Sequence, residues 1–475
     1  MRKLILLSLL SLSLIFILNS DNPVSNQEEY VPDEVLVRFK EAVNVYSVQE
    51  AIISVQGKII TFRGTEIDSA IWDPSDRSQQ SFRLTHDLFH IKVPATLGTE
   101  QAINILNQNP NVKYAKKNFI YHTDITPNDP DFVKQWGLHN TGQAGGIADA
   151  DIDAPEAWNI FTGIGVVVAV IDTGIDYNHE DLSNNMWINY GEYGRIPGED
   201  DDGNGYIDDI YGYNFLWREG MPAEKRQPLD DVGHGTHVAG IIGAVGNNGK
   251  GVGGVNWNVQ IMALKAFGPF GGNEADIINA IEYSIEEGAY ISNNSWGGNV
   301  PSEDIRSAIE SAKNAGRLFV CSAGNDSRNI DQPGNPYYPA CYNLENIICV
   351  ASTTNRDGLS DFSSWGPISV DLGAPGGYGK GQSPNNDDIY STLPNNSYGF
   401  LKGTSMATPF VSGVAALLLG YYPGLEYWQA KNAIMDSVDK LSSLSGKCVS
   451  EGRLNAHKAL AIPIAPSNLN AVPTA

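Results

Sequence analysis

Long apolar runs alternate with helical stretches through most of the chain. Continuous apolar runs are typical of parallel strands that are buried on both faces of a sheet. Such runs occur at Val166–Ile171, Val259–Leu264, Ala289–Ser292, Leu318–Cys321 and Ile347–Ala351. Stretches such as Glu274–Glu287 and Glu303–Asn314 lie between them and have helical spacing. The alternation predicts an α/β fold, a doubly wound and mostly parallel sheet flanked by helices, over residues 127–461.

Residues 31–122 show a different pattern, that of a small α+β domain. Two helical segments, Val45–Gln56 and Thr99–Asn107, alternate with strand-like segments. The order β-α-β-β-α-β is that of the split β-α-β, or ferredoxin-like, fold. Thr99 is expected to be the N-cap of the second helix. The strand-like segments are Glu34–Lys40, Lys58–Phe62, Asp87–Val93 and Val112–Tyr121.

The N-terminal segment, residues 1–20, has the pattern of a secretory signal peptide. Met1, Arg2 and Lys3 form a short basic region, and the run Leu4–Leu18 is apolar apart from its serines. This run is shorter than the ~20 residues that a transmembrane helix needs, and an uncleaved N-terminal anchor is the alternative. The sequence therefore predicts a secreted, extracellular protein. At the other end, residues 462–475 read as a Pro-rich tail or linker.

The 475 residues carry a formal net charge of −24, which is unevenly distributed. Residues 1–123 hold 12 Lys and Arg against 13 Asp and Glu, whereas the rest of the chain holds 19 against 42. This acidic surplus argues against nucleic acid as a partner, because a phosphate-binding surface needs positive potential.

The cysteines do not point to a metal. Their spacing contains no C-x-x-C motif, so the sequence indicates no zinc site. Export would permit disulfides, of which three pairings are possible, and buried free thiols are the alternative. The four cysteines are Cys321, Cys341, Cys349 and Cys448.

Three side chains together supply what an activated serine needs. Asp172 follows the first buried run, His234 opens a Gly-rich helix, and Ser405 precedes the apolar helix Phe410–Leu419. A hydroxyl needs a base within hydrogen-bond reach, and the base needs a carboxylate that holds its tautomer. Each residue alone has a structural explanation, such as a strand-end cap or a helix N-cap. The order Asp, His, Ser is one of three known chain orders of such a triad.

Asn325 ends another strand-like run, in the segment SAGN at residues 322–325. Its amide could donate to a developing oxyanion beside the backbone N–H of Ser405. A turn residue is the alternative explanation for an Asn after a Gly. The triad favours the catalytic interpretation.

The motifs DTGID (172–176), HGTHVAG (234–240), SWGG (295–298), SAGN (322–325) and GTSMATP (403–409) resemble those of the subtilisin-like serine proteases. The resemblance covers residues 127–461 and implies a serine endopeptidase with Asp172, His234 and Ser405 as triad and Asn325 as oxyanion side chain. It also implies polypeptide substrates, bound as an added strand. Tyr337 aligns near the base of the first specificity pocket, where smaller residues are common. The implied substrate-binding residues are Ser295, Trp296, Gly297, Gly298, Ser322, Ala323 and Gly324.

The 31–122 unit resembles the inhibitory propeptide of that family. The resemblance implies a zymogen that cleaves itself within Tyr121–Asn128, after which the unit is released. Until then it would act as an intramolecular inhibitor of its own enzyme, and the mature enzyme is expected to be a monomer. A permanently attached accessory domain is the alternative.

An acidic loop at residues 200–209 has most of the pattern of a calcium loop. Oxygen donors occupy positions 1, 3, 5 and 9 and Gly occupies position 6, but Tyr211 stands where position 12 needs Glu. An acidic surface loop is the alternative. Asp209, one residue past position 9, is expected to substitute for the missing Glu. The expected Ca²⁺ ligands are the side chains of Asp200, Asp202, Asn204 and Asp209 and the carbonyl of Tyr206.

A second calcium site is implied only by resemblance to thermitase-like members of the family. It would join the N-terminal arm, a carboxylate after the triad Asp, and the loop after the His helix. The matching positions are the side chains of Asp129, Asp181 and Asn248 and the carbonyls of Val245, Lys250 and Val252.

Two other classes of protein compete with this interpretation. Residues 403–407 are close to the G-x-S-x-G motif of α/β-hydrolases, and Asp436 or Asp439 with His457 would complete their order. That lipase or esterase hypothesis leaves DTGID and HGTHVAG unexplained. The other alternative is a binding protein on an inactive protease scaffold, which the presence of all four catalytic residue types disfavours.

Overall fold

The computed structural model describes residues 30–40, 43, 45–62, 65–66, 88–119, 125–379 and 385–462. The chain divides into two compact units, Met1–His122 and Thr123–Ala475. The predicted signal peptide, residues 121–124 of the predicted cleavage segment, and the tail beyond residue 462 lie outside the described residues.

The described residues of the first unit form an antiparallel sheet of five strands with two helices. Alternate residues of its longest strand, Val35, Val37 and Phe39, are fully buried, as expected of a strand with one face on the core. The sheet order is β3-β2-β4-β1-β5. The elements are β1 (Tyr30–Phe39), α1 (Val45–Ser54), β2 (Lys58–Phe62), β3 (Thr65–Glu66), β4 (Leu88–Lys92), α2 (Thr99–Asn107) and β5 (Val112–Phe119).

The N-cap expected at Thr99 is wrong. Gly98 is the N-cap of α2, and Thr99 is its first helical residue. The Thr99 hydroxyl instead accepts a hydrogen bond from the backbone N–H of Asp33 at 3.0 Å. The Thr99 hydroxyl thus bonds to a residue that is distant in sequence, which the local sequence does not reveal.

The second unit is built on a nine-stranded sheet of order β15-β16-β12-β11-β10-β9-β6-β8-β7. Its neighbouring strands are parallel except for β15 and β16. Two further strands, β13 and β14, form a separate hairpin. The strands are β6 (Val167–Asp172), β7 (Gly212–Asn214), β8 (Gln260–Lys265), β9 (Ile291–Asn294), β10 (Leu318–Ser322), β11 (Ile347–Thr353), β12 (Leu372–Pro375), β13 (Ile389–Leu393), β14 (Ser397–Leu401), β15 (Asp439–Lys440) and β16 (Gly452–Arg453). The helices are α3 (Ala154–Trp158), α4 (His234–Gly243), α5 (Glu274–Glu286), α6 (Glu303–Asn314), α7 (Thr404–Tyr421), α8 (Tyr427–Asp436) and α9 (Ala456–Ala461).

Helices cover both faces of this sheet. Val168 and Val170 of β6 enter an apolar core with α4 and α7, whereas Ala169 and Ile171 enter a second core with α5 and α6. Two-sided burial explains why the strands read as continuous apolar runs. The predicted fold class, a doubly wound and mostly parallel α/β sheet, is confirmed.

Helix α7 lies at the centre of the first core. It is long and apolar enough to cross a membrane by length and composition alone, but 78% of its residues are buried within the protein. It is therefore a core helix, and it carries Ser405 in its first turn.

All four cysteines are free thiols in this structure. Cys321 and Cys349 are fully buried and lie opposite each other on β10 and β11. Of the two alternatives that the sequence leaves open, the structure therefore shows free thiols.

Candidate active site

The carboxyl end of β6 brings Asp172 to the start of α4. His234 Nδ1 lies 2.7 Å from Asp172 Oδ1, and the Asp172 side chain is only 3% exposed against 32% for the imidazole. Burial lowers the pKa of His234, but the charge and hydrogen bond of Asp172, with the charge of Asp230, outweigh it and raise that pKa above its ordinary value. The pair is thus built to stabilise an imidazolium.

Ser405 is the second residue of α7, directly after Gly403 and Thr404. Gly403 has a φ of +146°, a conformation that favours glycine. The Ser405 hydroxyl donates to the carbonyl oxygen of Ser295 at 3.2 Å, and Ser295 Oγ donates to the Ser405 carbonyl oxygen at 2.9 Å. Within the described part of the chain the hydroxyl makes this bond rather than one to His234. The helix N-terminus places backbone N–H groups beside it.

Asn325 follows β10 and is held against the start of α7. Its Oδ1 accepts hydrogen bonds from the backbone N–H of Thr404 at 2.9 Å and from the Thr404 hydroxyl at 3.0 Å. Because the amide oxygen is engaged, the Nδ2 group is left as the donor near Ser405. This is the donor chemistry that an oxyanion site needs.

The two predicted peptide-binding segments continue neighbouring strands, β9 and β10. Between them lies the ring of Tyr337, so close that a Cβ on Gly297 would be 2.5 Å from it and a Cβ on Gly324 3.2 Å. Burial raises the pKa of Tyr337 to about 12, and a hydrogen bond with Ser322 acts in the opposite direction. The ring thus occupies the space between the two segments.

Three carboxylates form an acidic cluster beside the predicted calcium loop. One ligand oxygen each of Glu192, Asp202 and Asp209 lies within 4.8 Å of the other two. Burial raises the pKa of Glu192 and of Asp209, and neighbouring carboxylates add to both effects. A set of hard oxygen donors carrying excess negative charge fits Ca²⁺.

The loop residues divide between this cluster and other roles. Asp202 and Asp209 lie in the cluster, and Asn204 Nδ2 donates to Asp209 Oδ2 at 3.0 Å. The Asp200 carboxylate instead accepts from the N–H groups of Gly203 and Gly205 in its own loop. The Tyr206 ring packs against Tyr213, Phe215 and Tyr283. Glu192 was missed because it lies outside the loop motif, and no local pattern marks it.

The positions of the second predicted calcium site also come together. Asp129 accepts from the N–H of Asn248 at 3.0 Å, and Asn248 Nδ2 donates to Asp181 Oδ1 at 2.8 Å. Val252 N–H donates to Asp181 Oδ2 at 2.9 Å, and Val245 N–H donates to the Asp181 carbonyl. Both carboxylates are buried. The burial of Asp129 raises its pKa, and the charge of Asp181 adds to this effect. The Lys250 ammonium lies 3.6 Å from Glu180. The two buried carboxylates are hard oxygen donors of the kind that Ca²⁺ binds, whereas Asn248 presents its Nδ2 group to Asp181 and its Oδ1 accepts from the Lys250 N–H at 2.8 Å.

Comparison with known proteins places this arrangement in a family. Residues 163–453 match the family model described as the subtilase family. The chain is 32% identical over 434 residues to a thermophilic serine proteinase of Bacillus sp. (strain AK1), covering 91% of this chain and 88% of that protein. It is 35% identical over 337 residues to thermitase of Thermoactinomyces vulgaris, covering 70% of this chain and 99% of thermitase. A solved protease structure from Pseudoalteromonas arctica matches with a TM-score of 0.57 and 30% identity, over 71% of this chain and 99% of that one.

The fold and these comparisons define a serine-type endopeptidase that acts on polypeptides. The chain belongs to the subtilase family. The family resemblance predicted from the motifs is therefore confirmed, and the α/β-hydrolase alternative is removed. Asp439, one of the residues that the alternative invoked, is bound to Arg453 and Asn455 instead.

Proposed function

We propose that Asp172, His234 and Ser405 form the catalytic triad and that Asn325 and the Ser405 N–H form the oxyanion site. The observation that carries the proposal is the 2.7 Å hydrogen bond between a buried carboxylate and an imidazole at the edge of the sheet. It is supported by Ser405, which lies in the first turn of α7, and by Asn325, whose amide oxygen accepts a hydrogen bond from that turn.

The proposed reaction begins with transfer of the Ser405 hydroxyl proton to His234 Nε2, for which the hydroxyl leaves the Ser295 carbonyl. Ser405 Oγ bonds to the substrate carbonyl carbon, and the oxygen becomes an oxyanion held by Asn325 Nδ2 and the Ser405 N–H. The C–N bond then breaks as the imidazolium returns the proton to the leaving amine. His234 then deprotonates a water molecule, whose oxygen bonds to the acyl carbon. The ester bond to Ser405 Oγ breaks, His234 returns the proton to Oγ, and the new carboxyl group is released.

A fluorophosphonate probe tests this assignment, because it reacts with activated serines. Mature wild-type protein should be labelled at Ser405, and Ser405→Ala should not. Ser397→Ala is the matched control, since Ser397 is an exposed serine of β14, and it should label like the wild type. Folded mature protein that is not labelled would contradict the proposal.

We infer that substrate binds as an extended chain along Ser295–Gly298 and Ser322–Gly324. These segments continue β9 and β10 past the parallel sheet, directly beside Ser405. Backbone groups there would supply affinity, and the space around Tyr337 would supply selection among side chains.

We further propose that the protein is a secreted zymogen. The signal-like N-terminus supports export, and the separate, self-contained core of the first unit supports a removable propeptide that inhibits the enzyme. Thermitase aligns over nearly its whole length yet covers 70% of this chain, which leaves room for such segments. The mature enzyme would be a monomer.

Expression of the full chain in wild-type and Ser405→Ala forms tests self-processing. The wild type should yield a shorter protein whose N-terminus lies within residues 121–128, and Ser405→Ala should stop after signal removal. Adding mature wild-type enzyme should then cleave the variant. Equal processing of the two forms in a host without other proteases would contradict the proposal.

We propose two structural Ca²⁺ sites. Glu192, Asp202, Asp209 and Asn204 would hold one ion, and Asp129, Asp181 and Asn248 the other. Bound calcium would neutralise the clustered carboxylates and stabilise the folded loops, and it takes no part in the proton transfers above.

A further inference from the structure

A second buried carboxylate lies beside the Asp172–His234 pair. Asp230 precedes His234 by four residues and is 5% exposed. Its Oδ1 accepts from the Thr173 hydroxyl, the Val232 N–H and the Gly233 N–H, each at 2.9 Å. Its Oδ2 accepts from the Thr236 N–H at 2.9 Å and the Thr236 hydroxyl at 2.6 Å. These five hydrogen bonds offset the loss of hydration that a buried carboxylate suffers.

These bonds join the two segments that carry Asp172 and His234. Thr173 directly follows Asp172, and its hydroxyl both donates to Asp230 and accepts from the N–H of Gly235, directly after His234, at 2.9 Å. Asp230 therefore links the turn after β6 to the first turn of α4. An active-site side chain keeps its geometry only when such supporting bonds lock the elements that carry it.

Asp230 also belongs to the charges around the imidazole. Asp172 faces His234 from β6, Asp230 from the preceding loop, and His237 from the same helix. Lys265, at the end of β8, lies behind the Asp172 turn, where its ammonium donates to the Thr173 carbonyl and pairs with Asp231. The charge of Asp230 is one of the causes that raise the pKa of His234.

We propose that Asp230 is a positioning residue for His234, which fixes the first turn of α4 against the Asp172 turn and whose charge favours the imidazolium formed during the reaction. This inference rests on the proposed triad. It adds a second carboxylate that acts through the histidine and touches neither substrate nor the reacting atoms.

The pH dependence of kcat/KM on an uncharged peptide substrate tests the charge. Asp230→Asn keeps the shape but removes the charge, so it should lower kcat/KM at the plateau and move the acidic limb down by at least about half a pH unit. Asp231→Asn is the matched control. It removes a carboxylate charge from the neighbouring residue, whose side chain is 62% exposed, and it should leave the acidic limb in place. An unmoved limb in folded, active Asp230→Asn would overturn the proposal.

Thr173→Val tests the positioning role, and it remains a test of the proposal if Asp230→Asn does not fold. It keeps the Asp230 charge but removes the hydroxyl that joins Asp230 to Gly235, so kcat should fall about tenfold or more while the acidic limb stays. Thr173→Ser restores the hydroxyl and should recover most of the loss. An unchanged kcat in Thr173→Val would overturn the proposal. Wild-type protein that neither hydrolyses peptide nor labels at Ser405 would instead refute the triad itself.

Discussion

Ser405 and Ser295 are joined by two hydrogen bonds that run in opposite directions. The Ser405 hydroxyl donates to the Ser295 carbonyl at 3.2 Å, and the Ser295 hydroxyl donates to the Ser405 carbonyl at 2.9 Å. The first turn of α7 is thereby fixed to the segment that follows β9. Since that segment is the proposed peptide-binding edge, the same contact sets the distance between nucleophile and substrate.

Ser295→Ala should weaken this connection without unfolding the enzyme. It removes the hydrogen bond to the Ser405 carbonyl, with a net value of about 1 kcal/mol, and also the bond that Ser295 Oγ accepts from Asn293 Nδ2, so kcat/KM should fall about fivefold or more. Ser295→Thr keeps a hydroxyl and is the rescue control. Steady-state kinetics and thermal melting of both variants check this. Full activity in Ser295→Ala would show that the contact does not position Ser405.

Asn325→Ala should reduce kcat by about 10²–10³ and change KM little, because an oxyanion donor acts only in the transition state. Asn325→Asp has the same shape but cannot donate from that position, and it should be at least as impaired. A loss confined to KM would instead indicate a substrate-binding role. Thermal melting must accompany the kinetics, since the Asn325 oxygen also binds Thr404.

The sequence predicts those parts of the site that local motifs encode. Buried strands can be recognised as apolar runs. In a parallel sheet, functional residues are expected at the carboxyl ends of those strands. Asp172, His234, Asn325 and Ser405 could therefore be proposed before the structure. The predicted doubly wound fold and the subtilase family are confirmed, whereas the triad assignment stays a prediction for the probe experiment.

Residues that contribute only through tertiary contacts could not be read in this way. Glu192 joins Asp202 and Asp209 from outside the loop motif, and Asp230 looks like any acidic residue before a helix. The Thr99 hydroxyl is similarly taken by Asp33, far away in sequence. In each case the tertiary fold brings up a partner that spacing along the chain does not reveal, as it brings Thr173 to Asp230.

Tyr337 should restrict cleavage to peptides with a small residue before the scissile bond. Its ring lies against Gly297 and Gly324. In the proposed binding mode it therefore fills the space that a larger substrate side chain would need. Tyr337→Gly should raise kcat/KM for a Phe substrate relative to an Ala substrate by ~10-fold or more. Tyr337→Phe keeps the ring and should keep the preference for Ala. A wild type that already prefers Phe would contradict this.

Removing calcium should destabilise the protein, and Glu192 should account for part of the effect. Binding at a hundred times Kd stabilises a folded protein by about 2.7 kcal/mol per site. In a Ser405→Ala background, which prevents autolysis, chelator should lower the melting temperature. Glu192→Gln should show a smaller calcium-dependent shift, whereas Glu199→Gln, an exposed neighbour outside the cluster, should behave like its parent. Identical shifts in all three proteins would exclude Glu192 as a ligand.

His237 should make the folded protein sensitive to acid. Its Nε2 lies 3.0 Å from the Ile389 carbonyl and 3.1 Å from the Gly399 carbonyl, so as a donor it ties β13 and β14 to α4. Burial lowers the pKa of His237 to about 3, far below the ordinary value near 6.5. Between these two values the unfolded chain binds a proton that the folded chain does not.

The free energy of unfolding should therefore fall by about 1.4 kcal/mol per pH unit on acidification below about pH 6, from this residue alone. His237→Gln can still donate to a carbonyl but takes up no proton. In the Ser405→Ala background, urea unfolding from pH 7 to pH 4 should show a slope shallower by one proton in His237→Gln. Its stability at pH 7 should be lower, because the ring no longer fills its buried site. Parallel pH dependences in the two proteins would mean that His237 already binds its proton in the folded state.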